Sequence, residues 1–309
     1  MTTVFIDGGH GTTGLEISDR LSGRRDIDLI EIAQASRKDP RARRDAINDA
    51  DVVILCLPDD AAREAVSLID NERTRVIDAS TAHRTADNWV FGFHEIDPDG
   101  LKRVSAAKRV SNPGCYSTGF LALVKPLVRA GLIPADWPLS VNAVSGYSGG
   151  GKTMIAEFEN NDTDTAWRTY ALSIGHKHVP EMQRHAGLTH APLFAPSVAR
   201  TYRGMVVDVP LMTAAMPKRP SAEEIESVLA ERYTDSPIVS LVRNFDEPHL
   251  TIEHAANTDR LDLFVFANAS GTQVRLVAAL DNLGKGAAGA AVQTLNILAG
   301  LPETQGLRL

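Results

Sequence analysis

The chain has 309 residues, of which 43% are hydrophobic and 23% are charged, and its formal net charge is −7. A chain of this length usually forms about two domains, and the composition is that of an ordinary soluble globular protein. The negative charge argues against nonspecific binding of nucleic acids, which requires a basic surface.

Cysteine usage and the distribution of apolar residues narrow the class further. Two cysteines, Cys56 and Cys115, cannot form a disulfide framework, and there is no Cys-x-x-Cys pair of the metal-binding kind. The N-terminal segment is charged and has no apolar signal core. No stretch approaches the ~18 apolar residues of a membrane span. We therefore expect a cytoplasmic protein with no metal site and no membrane partner.

Strands and helices are predicted to alternate at the start of the chain. The predicted strands cover 2–7, 27–33, 50–58 and 75–80, and the predicted helices cover 15–24 and 61–70. The run at 50–58 is almost wholly apolar, which is typical of a strand covered on both faces. Alternation of this kind predicts right-handed βαβ units and a parallel sheet.

The pattern changes beyond residue 125. Long strands are predicted within 138–151, 193–212 and 260–280, and short turns between them favour an antiparallel or mixed sheet in a second domain. Ser221 and Glu224 have the spacing of a capping box at the start of a helix. A last helix, rich in small residues, is predicted over 281–300.

A glycine-rich loop, GGHGTTG at 8–14, separates the first strand from the first helix. Its G-x-G-x-x-G spacing lets backbone N–H groups approach a pyrophosphate at the N-terminus of the helix. A tight turn without a ligand is the alternative interpretation. The residues expected to contact a dinucleotide here are Gly8, Gly11, Thr12, Thr13 and Gly14.

The segment after the second predicted strand indicates which dinucleotide is bound. An NAD-specific fold usually has an acidic residue in this region, whereas this chain has Ser36, Arg37 and Lys38. A hydroxyl group and two cations suit the 2′-phosphate of NADP, although a solvated basic turn would have the same composition. We therefore predict NADP(H) as the cofactor.

The two cysteines are predicted to differ in role. Cys56 lies in an apolar run and is interpreted as an inert thiol. Cys115 follows a Pro-Gly turn and opens a helix that is predicted to end before Pro126. A thiolate in the first turn of a helix is stabilised by the helix dipole and by N–H groups. Cys115 is thus a candidate nucleophile, with Asn112 and the Cys115 N–H as candidate oxyanion donors.

A thiol nucleophile needs a partner that accepts its proton. His178 and Glu181 are three residues apart, so on a helix they share one face and the carboxylate could orient the imidazole. We prefer His178 as the base, with His176 as the alternative. A zinc site or a structural histidine cluster would also explain these side chains.

Six stretches together resemble the shorter form of the N-acetyl-γ-glutamyl-phosphate reductases, a family in one structural group with the aspartate-semialdehyde dehydrogenases. The stretches are GGHGTTG, DASTAHR, SNPGCYSTG, SGYSGGGK, HKHVPEM and DNLGKGAAGAAVQ. The resemblance implies an α/β fold with two domains. A Rossmann-type cofactor domain with a parallel sheet would comprise 1–114 and 281–309. An inserted α+β substrate and dimerisation domain with a mixed sheet would comprise 115–280.

The resemblance also implies an activity. It is the NADPH-dependent reduction of N-acetyl-L-glutamyl 5-phosphate to the 5-semialdehyde in arginine biosynthesis, with Cys115 as nucleophile, in a homodimer or homotetramer. The segment from Asn282 would meet the cofactor. Lys285 is expected to face the cofactor as well, although a helix rich in small residues could instead serve only for tight packing. Aspartate-semialdehyde dehydrogenase is the alternative activity. Two alternative functions come from other classes of protein: a cysteine hydrolase and a non-catalytic regulator that binds NADPH.

The remaining site residues are assigned on the same basis. Those also expected to contact the cofactor are Cys56, Leu57, Pro58 and Ser80. The phosphate and α-carboxylate of an acyl-phosphate substrate need positively charged side chains to bind them. The residues expected to bind this substrate are Arg84, Lys152, Arg168 and His176. Arg84, Lys152 and Arg168 could each instead be a solvated surface charge. The stretch 146–153 also fits the spacing of a kinase-type phosphate loop, but a loop that lines the substrate is the preferred interpretation.

Overall fold

The computed structural model describes residues 1–36 and 39–309, and the chain divides into two compact units. The first unit comprises 1–94, 99–113 and 287–307, and the second comprises 95–98, 114–286 and 308–309. Each unit is therefore assembled from segments that are separate in the sequence.

The helices and strands follow one another in a regular order. From the start of the chain they are β1 (Thr2–Asp7), α1 (Thr12–Leu21), β2 (Ile27–Ile30), α2 (Pro40–Asp49), β3 (Val52–Leu55), α3 (Asp59–Ser67), β4 (Arg75–Asp78), β5 (Val90–Phe91), α4 (Gly100–Ala106) and β6 (Arg109–Ser111). They continue with α5 (Cys115–Arg129), β7 (Ser140–Gly146), α6 (Gly151–Glu159), β8 (Trp167–Thr169), α7 (Val179–Ala186), β9 (Leu193–Ala199), β10 (Met205–Leu211), α8 (Ala222–Tyr233), β11 (Val239–Leu241), β12 (Leu261–Ala267) and β13 (Val274–Leu280). A π-helical turn, Gly284–Ala288, then leads into α9 (Gly289–Leu298).

The first unit contains a parallel sheet with the strand order β2-β1-β3-β4-β6-β5. All four residues of β3 are buried. Val52 and Ile54 belong to the core that includes residues of α1 and α9, and Val53 and Leu55 belong to the core that includes residues of α2 and α3. Successive side chains of a strand point to opposite faces, so β3 is covered on both faces, as predicted.

The second unit contains a mixed sheet of seven strands, ordered β11-β12-β13-β10-β7-β9-β8. Its two parallel pairs are β11 with β12 and β7 with β9, and its other neighbours are antiparallel. A parallel sheet in one unit and a mixed sheet in the other confirm the predicted fold class.

Helix α5 corrects one prediction about a boundary. The helix does not end before Pro126 but continues to Arg129. Because proline has no N–H, the carbonyl group of Ala122 loses its partner within the helix. The hydroxyl of Tyr233 donates to that carbonyl oxygen at 2.8 Å. A tertiary hydrogen bond thus replaces the missing one and the helix passes through the proline.

Two other helix boundaries follow from local hydrogen bonds. Ser221 and Glu224 form the predicted capping box at the start of α8. The predicted helix over 281–300 is instead a π-helical turn followed by α9. Before that turn, the buried Asp281 carboxylate accepts from the N–H groups of Leu283 and Gly284. No helix within the described part of the chain has the length and apolar character needed to cross a membrane.

Candidate functional site

The glycine loop connects β1 to α1. Two of its positions leave no room for a side chain, so only glycine fits there. Gly8 has a φ of +86°, and a Cβ atom there would overlap the carbonyl oxygen of Cys56. A Cβ atom at Gly14 would lie 2.6 Å from the Gly8 carbonyl oxygen. Gly11 is the N-cap of α1 and supplies no side chain to cap it. Backbone N–H groups at a helix start can bind a pyrophosphate, so this cradle fits a dinucleotide.

A cleft of about 1200 Å³ opens beside this loop in the first unit. The loop, the carboxyl ends of β1 and β2, and residues such as Ile32 and Ala35 form its walls. Dinucleotides bind at the carboxyl ends of parallel strands in such folds. Ser36 lies in a short 3₁₀ turn after β2, whereas Arg37 and Lys38 lie outside the described residues.

Arg43, on α2, lines the same cleft and was not predicted as a site residue. Its Nε atom lies 2.7 Å from Asp7 Oδ2, at the end of β1. Burial raises the pKa of the Asp7 carboxyl above its ordinary value, and Arg43 offsets part of this rise. Arg43 therefore neutralises a carboxylate that would repel a pyrophosphate. The sequence gives no signal for it, because α2 carries three arginines without distinctive spacing.

The other residues assigned to the cofactor occupy different surroundings. Cys56 directly follows β3, and desolvation raises the pKa of its thiol to about 12. This sulfur therefore stays protonated at neutral pH. Leu57 lines the cleft beside the glycine loop, and Pro58 is the N-cap of α3. The Ser80 hydroxyl donates to a carboxylate oxygen at 2.8 Å.

The carboxylate that accepts from this hydroxyl is Asp78, which organises the loop after β4. Its Oδ2 atom lies 2.6 Å from Nδ1 of His83, and the His83 ring stacks on Trp89 with centroids 4.1 Å apart. Arg84 is buried and donates to the Ala79 carbonyl oxygen at 3.2 Å. The predicted substrate cation thus lies on a loop that has a defined conformation.

Cys115 is the first residue of α5, as the turn chemistry predicts. Three residues link it to β6, and a helix start stabilises negative charge on the sulfur. Asn112 in this turn is 1% exposed, and its side-chain nitrogen donates to the Ala287 carbonyl oxygen at 3.0 Å. One amide N–H of this candidate oxyanion donor is therefore engaged.

Glu181 connects α7 to the start of α5. The side chain is almost completely buried, and its Oε2 atom accepts from the N–H of Gly114, the N-cap of α5, at 3.1 Å. His178 is the buried N-cap of α7. The carboxylate therefore ties the helix that follows His178 to the residue before Cys115. The sequence did not predict this contact.

The second histidine has a defined hydrogen-bonding role. Nδ1 of His176 accepts from the backbone N–H of His178 at 3.1 Å. When His176 is neutral its proton is therefore on Nε2. The His176 ring packs edge-on against Tyr116 and Phe194, with centroids 5.9 Å and 5.1 Å apart. Tyr116 follows Cys115 directly in the chain.

The predicted cations of the second unit lie on different elements. Arg168, on β8, forms a bidentate ion pair with Glu157. Lys152 is exposed in the first turn of α6. Lys285 is 1% exposed, and its Nζ lies 2.6 Å from Glu95 Oε1. The first and third of these charges are thus neutralised by a carboxylate.

The segment before α9 contacts the loop after β7 and the nucleophile. Asn282 is buried, donates to Ser148 Oγ at 2.8 Å and accepts from the N–H of Gly204 at 3.0 Å. A Cβ atom at Gly286, in the π-helical turn, would lie 2.8 Å from Cβ of Cys115. The turn is therefore packed against Cys115 so closely that only glycine fits.

The predicted site residues are thus divided between the units. The first unit holds the glycine loop, Ser36, Cys56, Leu57, Pro58, Ser80, Arg84 and Asn112. In the second unit, contacts through Gly114 and Tyr116 connect Cys115, His176, His178 and Glu181. The glycine loop of the first unit suits dinucleotide binding, and the group around Cys115 in the second unit suits nucleophilic attack by a thiol.

Comparison with known proteins defines the class. The family described as semialdehyde dehydrogenase, NAD binding domain, matches residues 3–104, and semialdehyde dehydrogenase, dimerisation domain, matches residues 115–282. Aspartate semialdehyde dehydrogenase II from Vibrio cholerae has a TM-score of 0.71 over 97% of this chain and 98% of its own, at 17% identity. The Candida albicans aspartate semialdehyde dehydrogenase solved with NADP has a TM-score of 0.64 over 96% and 98%, at 15% identity. These structures share the fold, which is that of NAD(P)-dependent oxidoreductases of the semialdehyde dehydrogenase type.

Closer relatives define the family. The N-acetyl-γ-glutamyl-phosphate reductase of Trichormus variabilis is 48% identical and covers 98% of both chains. Proteins of the same name from Chelativorans sp. and Brucella ovis are 47% and 48% identical over 96% of this chain, and cover 97% and 98% of their own. The chain belongs to the N-acetyl-γ-glutamyl-phosphate reductase family, which confirms the resemblance seen in its motifs.

Proposed function

We propose that the protein reduces N-acetyl-L-glutamyl 5-phosphate to N-acetyl-L-glutamate 5-semialdehyde with NADPH and releases phosphate, a step of arginine biosynthesis. The names of relatives that are nearly half identical over almost the whole chain support this substrate. The observation that carries the proposal is the position of Cys115 at the start of α5, where Glu181 binds the N–H of the preceding residue.

The chemistry follows from a thiolate at this position. Cys115 Sγ attacks the acyl carbon, so that a C–S bond forms while the bond to the phosphate oxygen breaks. When bound, the reduced cofactor supplies the hydride that reduces this thioester. N–H groups at the start of α5 stabilise the resulting oxyanion. Cleavage of the C–S bond then releases the aldehyde and restores the thiolate.

We propose that His178 is the base that accepts the thiol proton. Nδ1 of His176 already accepts from the His178 N–H, so a proton taken up there would break this hydrogen bond, and His178 is the better candidate for the base. His178→Asn should lower kcat about 10²–10⁴-fold and remove the acidic limb of the pH–rate profile. His176→Asn should lower kcat about tenfold and leave that limb in place. The reverse pattern would make His176 the base.

We further propose that the first unit binds NADPH in preference to NADH, through Arg37 and Lys38. The glycine cradle supports binding of the diphosphate, and the two cations and Ser36 suit a 2′-phosphate. Replacing both cations with alanine should weaken NADPH binding at least ~10-fold and leave NADH binding unchanged. Gly14→Ala should weaken binding of both cofactors much more than Gly11→Ala, because a Cβ at Gly11 meets no atom closer than 3.6 Å.

We propose a homo-oligomer formed through the second unit, as a dimer or a tetramer. The match of residues 115–282 to a dimerisation domain supports this assembly. Light scattering on the eluting protein should give two or four times the chain mass of 33.3 kDa. A monomer at micromolar concentration would contradict the proposal.

The activity is tested most directly in reverse, as phosphate-dependent reduction of NADP⁺. N-acetyl-L-glutamate 5-semialdehyde should support this reaction, and L-aspartate 4-semialdehyde should be at least ~100-fold poorer in kcat/KM. A preference for the aspartate compound would establish the alternative activity. NADP⁺ reduction that does not depend on phosphate would exclude the acyl-phosphate reaction.

A further inference from the structure

Two consecutive hydrogen bonds in the second unit have a fixed order of donor and acceptor. Tyr116 donates its hydroxyl proton to the Ser197 carbonyl oxygen at 3.0 Å, and a carbonyl oxygen only accepts. Tyr116 has no second proton, so Tyr170 must donate the 3.1 Å bond between the two hydroxyl groups. The only proton of the Tyr170 hydroxyl is therefore committed. Toward any other group this oxygen acts as an acceptor.

The acceptor lies among the residues around the nucleophile. The Tyr170 ring is half-buried and packs against His176, with centroids 5.9 Å apart, and Tyr116 packs against both His176 and His178. Desolvation raises the pKa of Tyr170 to about 12, and negative charge on Cys115 contributes to the rise. The hydroxyl therefore keeps its proton at neutral pH, so Tyr170 remains the donor to Tyr116.

We propose that Tyr170 is a specificity-determining residue whose phenolic oxygen accepts a hydrogen bond from an N–H group of the substrate. This inference rests on the proposed function. In N-acetyl-L-glutamyl 5-phosphate the carboxylate, the phosphate and both carbonyl groups are acceptors, and the acetamido N–H is the only donor. Among the polar groups of this substrate, an oxygen that can only accept is therefore matched to the acetamido N–H.

The aromatic surroundings favour the same type of substrate. Tyr116, Tyr170, His176 and Phe194 form a cluster of rings with centroids about 5–6 Å apart. A neutral acetamido group loses less solvation beside such rings than a charged ammonium group does. The cluster therefore suits a substrate whose amino group has been acylated.

The test combines one variant with one altered substrate. Wild type and Tyr170→Phe are compared with N-acetyl-L-glutamate 5-semialdehyde and with its N-methyl analogue, which has no N–H, in phosphate-dependent reduction of NADP⁺. Tyr170→Phe should lower kcat/KM about tenfold for the first compound and less than about twofold for the second. If both enzymes discriminate equally between the two compounds, the N-methyl group acts by size alone and the proposal is overturned.

Binding measurements separate this inference from the proposed reaction. Calorimetry with N-acetyl-L-glutamate and its N-methyl analogue needs no turnover, and Tyr170→Phe should lose about tenfold in affinity for the first ligand only. A wild type that binds both ligands equally, or neither, overturns the inference. A wild type that prefers the N–H ligand but does not reduce NADP⁺ would support Tyr170 and refute the reaction.

A matched variant excludes a general effect of removing a hydroxyl group. Tyr202→Phe changes an exposed tyrosine of the same unit and should leave both measurements unchanged. Tyr170→Phe should also leave the alkylation rate of Cys115 within about twofold of the wild-type value. A large fall in that rate would mean that Tyr170 acts by holding the nucleophile, which would overturn the specificity role.

Discussion

The ends of β3 and β6 place the two cysteines of this protein in different chemical situations. Cys56 comes directly after β3, where desolvation raises the pKa of its thiol to about 12. Cys115 is separated from β6 by an Asn-Pro-Gly turn and opens α5. A sulfur at the end of a covered strand is thus kept neutral, whereas one at the start of a helix lies beside N–H groups that favour its anion.

The N-caps of the helices that follow these two strands also differ, because only one of them has an N–H group. Pro58 is the N-cap of α3 and has no N–H group. Gly114 is the N-cap of α5, and its N–H binds the Glu181 carboxylate at 3.1 Å. The N-cap of α5 thus binds a buried carboxylate from another element through its own N–H, whereas the start of α3 is joined to the loop after β4 through the Asp59 side chain, which accepts from Thr81. The comparison shows that the connection that follows the strand determines whether a cysteine at its end can ionise and react as a nucleophile.

The largest expected effect concerns the thiol itself. Cys115→Ser should lower kcat at least ~10³-fold because serine is not ionised at neutral pH, and it should leave the dissociation constant of NADPH unchanged. In wild type, iodoacetamide at pH 7.5 should modify Cys115 and not Cys56, as seen by peptide mass spectrometry. Faster modification of Cys56 would contradict the comparison.

A smaller effect is expected from Gly286→Ala. The added Cβ would lie 2.8 Å from Cβ of Cys115, so the start of α5 or the π-helical turn must shift. A displaced nucleophile should reduce kcat roughly 10–100-fold, with a parallel fall in the alkylation rate of Cys115. Wild-type values for both rates would show that the contact with the turn does not position the sulfur.

Glu181 gives a test of how the helix start is held. Glu181→Ala should lower the free energy of unfolding by about 1–3 kcal/mol, because the buried N–H of Gly114 loses its acceptor. Glu181→Gln retains an acceptor oxygen and should lose less than half as much. Urea unfolding measures both values, and equal losses would assign the effect to the charge and not to the hydrogen bond.

The smallest expected effect concerns the continuity of α5. Tyr233→Phe removes the donor to the Ala122 carbonyl oxygen and should lower the free energy of unfolding by about 1–2 kcal/mol. Tyr202→Phe, at an exposed position, should change it by less than about 0.5 kcal/mol. If the two variants unfold at the same urea concentration, the Tyr233 hydrogen bond is not what carries α5 through Pro126.

The sequence predicts those features that depend on neighbouring residues. The alternation of strands and helices, the glycine loop and the capping box at Ser221 are local patterns, and the structure contains them. The helix start at Cys115 was also predictable, because a Pro-Gly pair ends the preceding strand. In each case hydrogen bonds and sterics within a few residues decide the conformation.

Features that depend on distant residues were not predictable. The bond from Tyr233 to Ala122 joins positions 111 apart, and the bond from Tyr116 to Ser197 joins positions 81 apart. Neither leaves a periodic signal in the sequence. The packing of Gly286 against Cys115 is of the same kind, since only the folded chain brings the two together.

The composition of the core of the first unit determines when that unit can fold during synthesis of the protein. Val292 and Leu295, from the end of the chain, belong to the same buried cluster as Val4 and Ile17 from its beginning. A ribosome must therefore synthesise the chain at least as far as α9 before this core can close. Until then the face of the parallel sheet that α9 covers exposes apolar surface, and exposed surface of this kind promotes aggregation of incompletely folded chains.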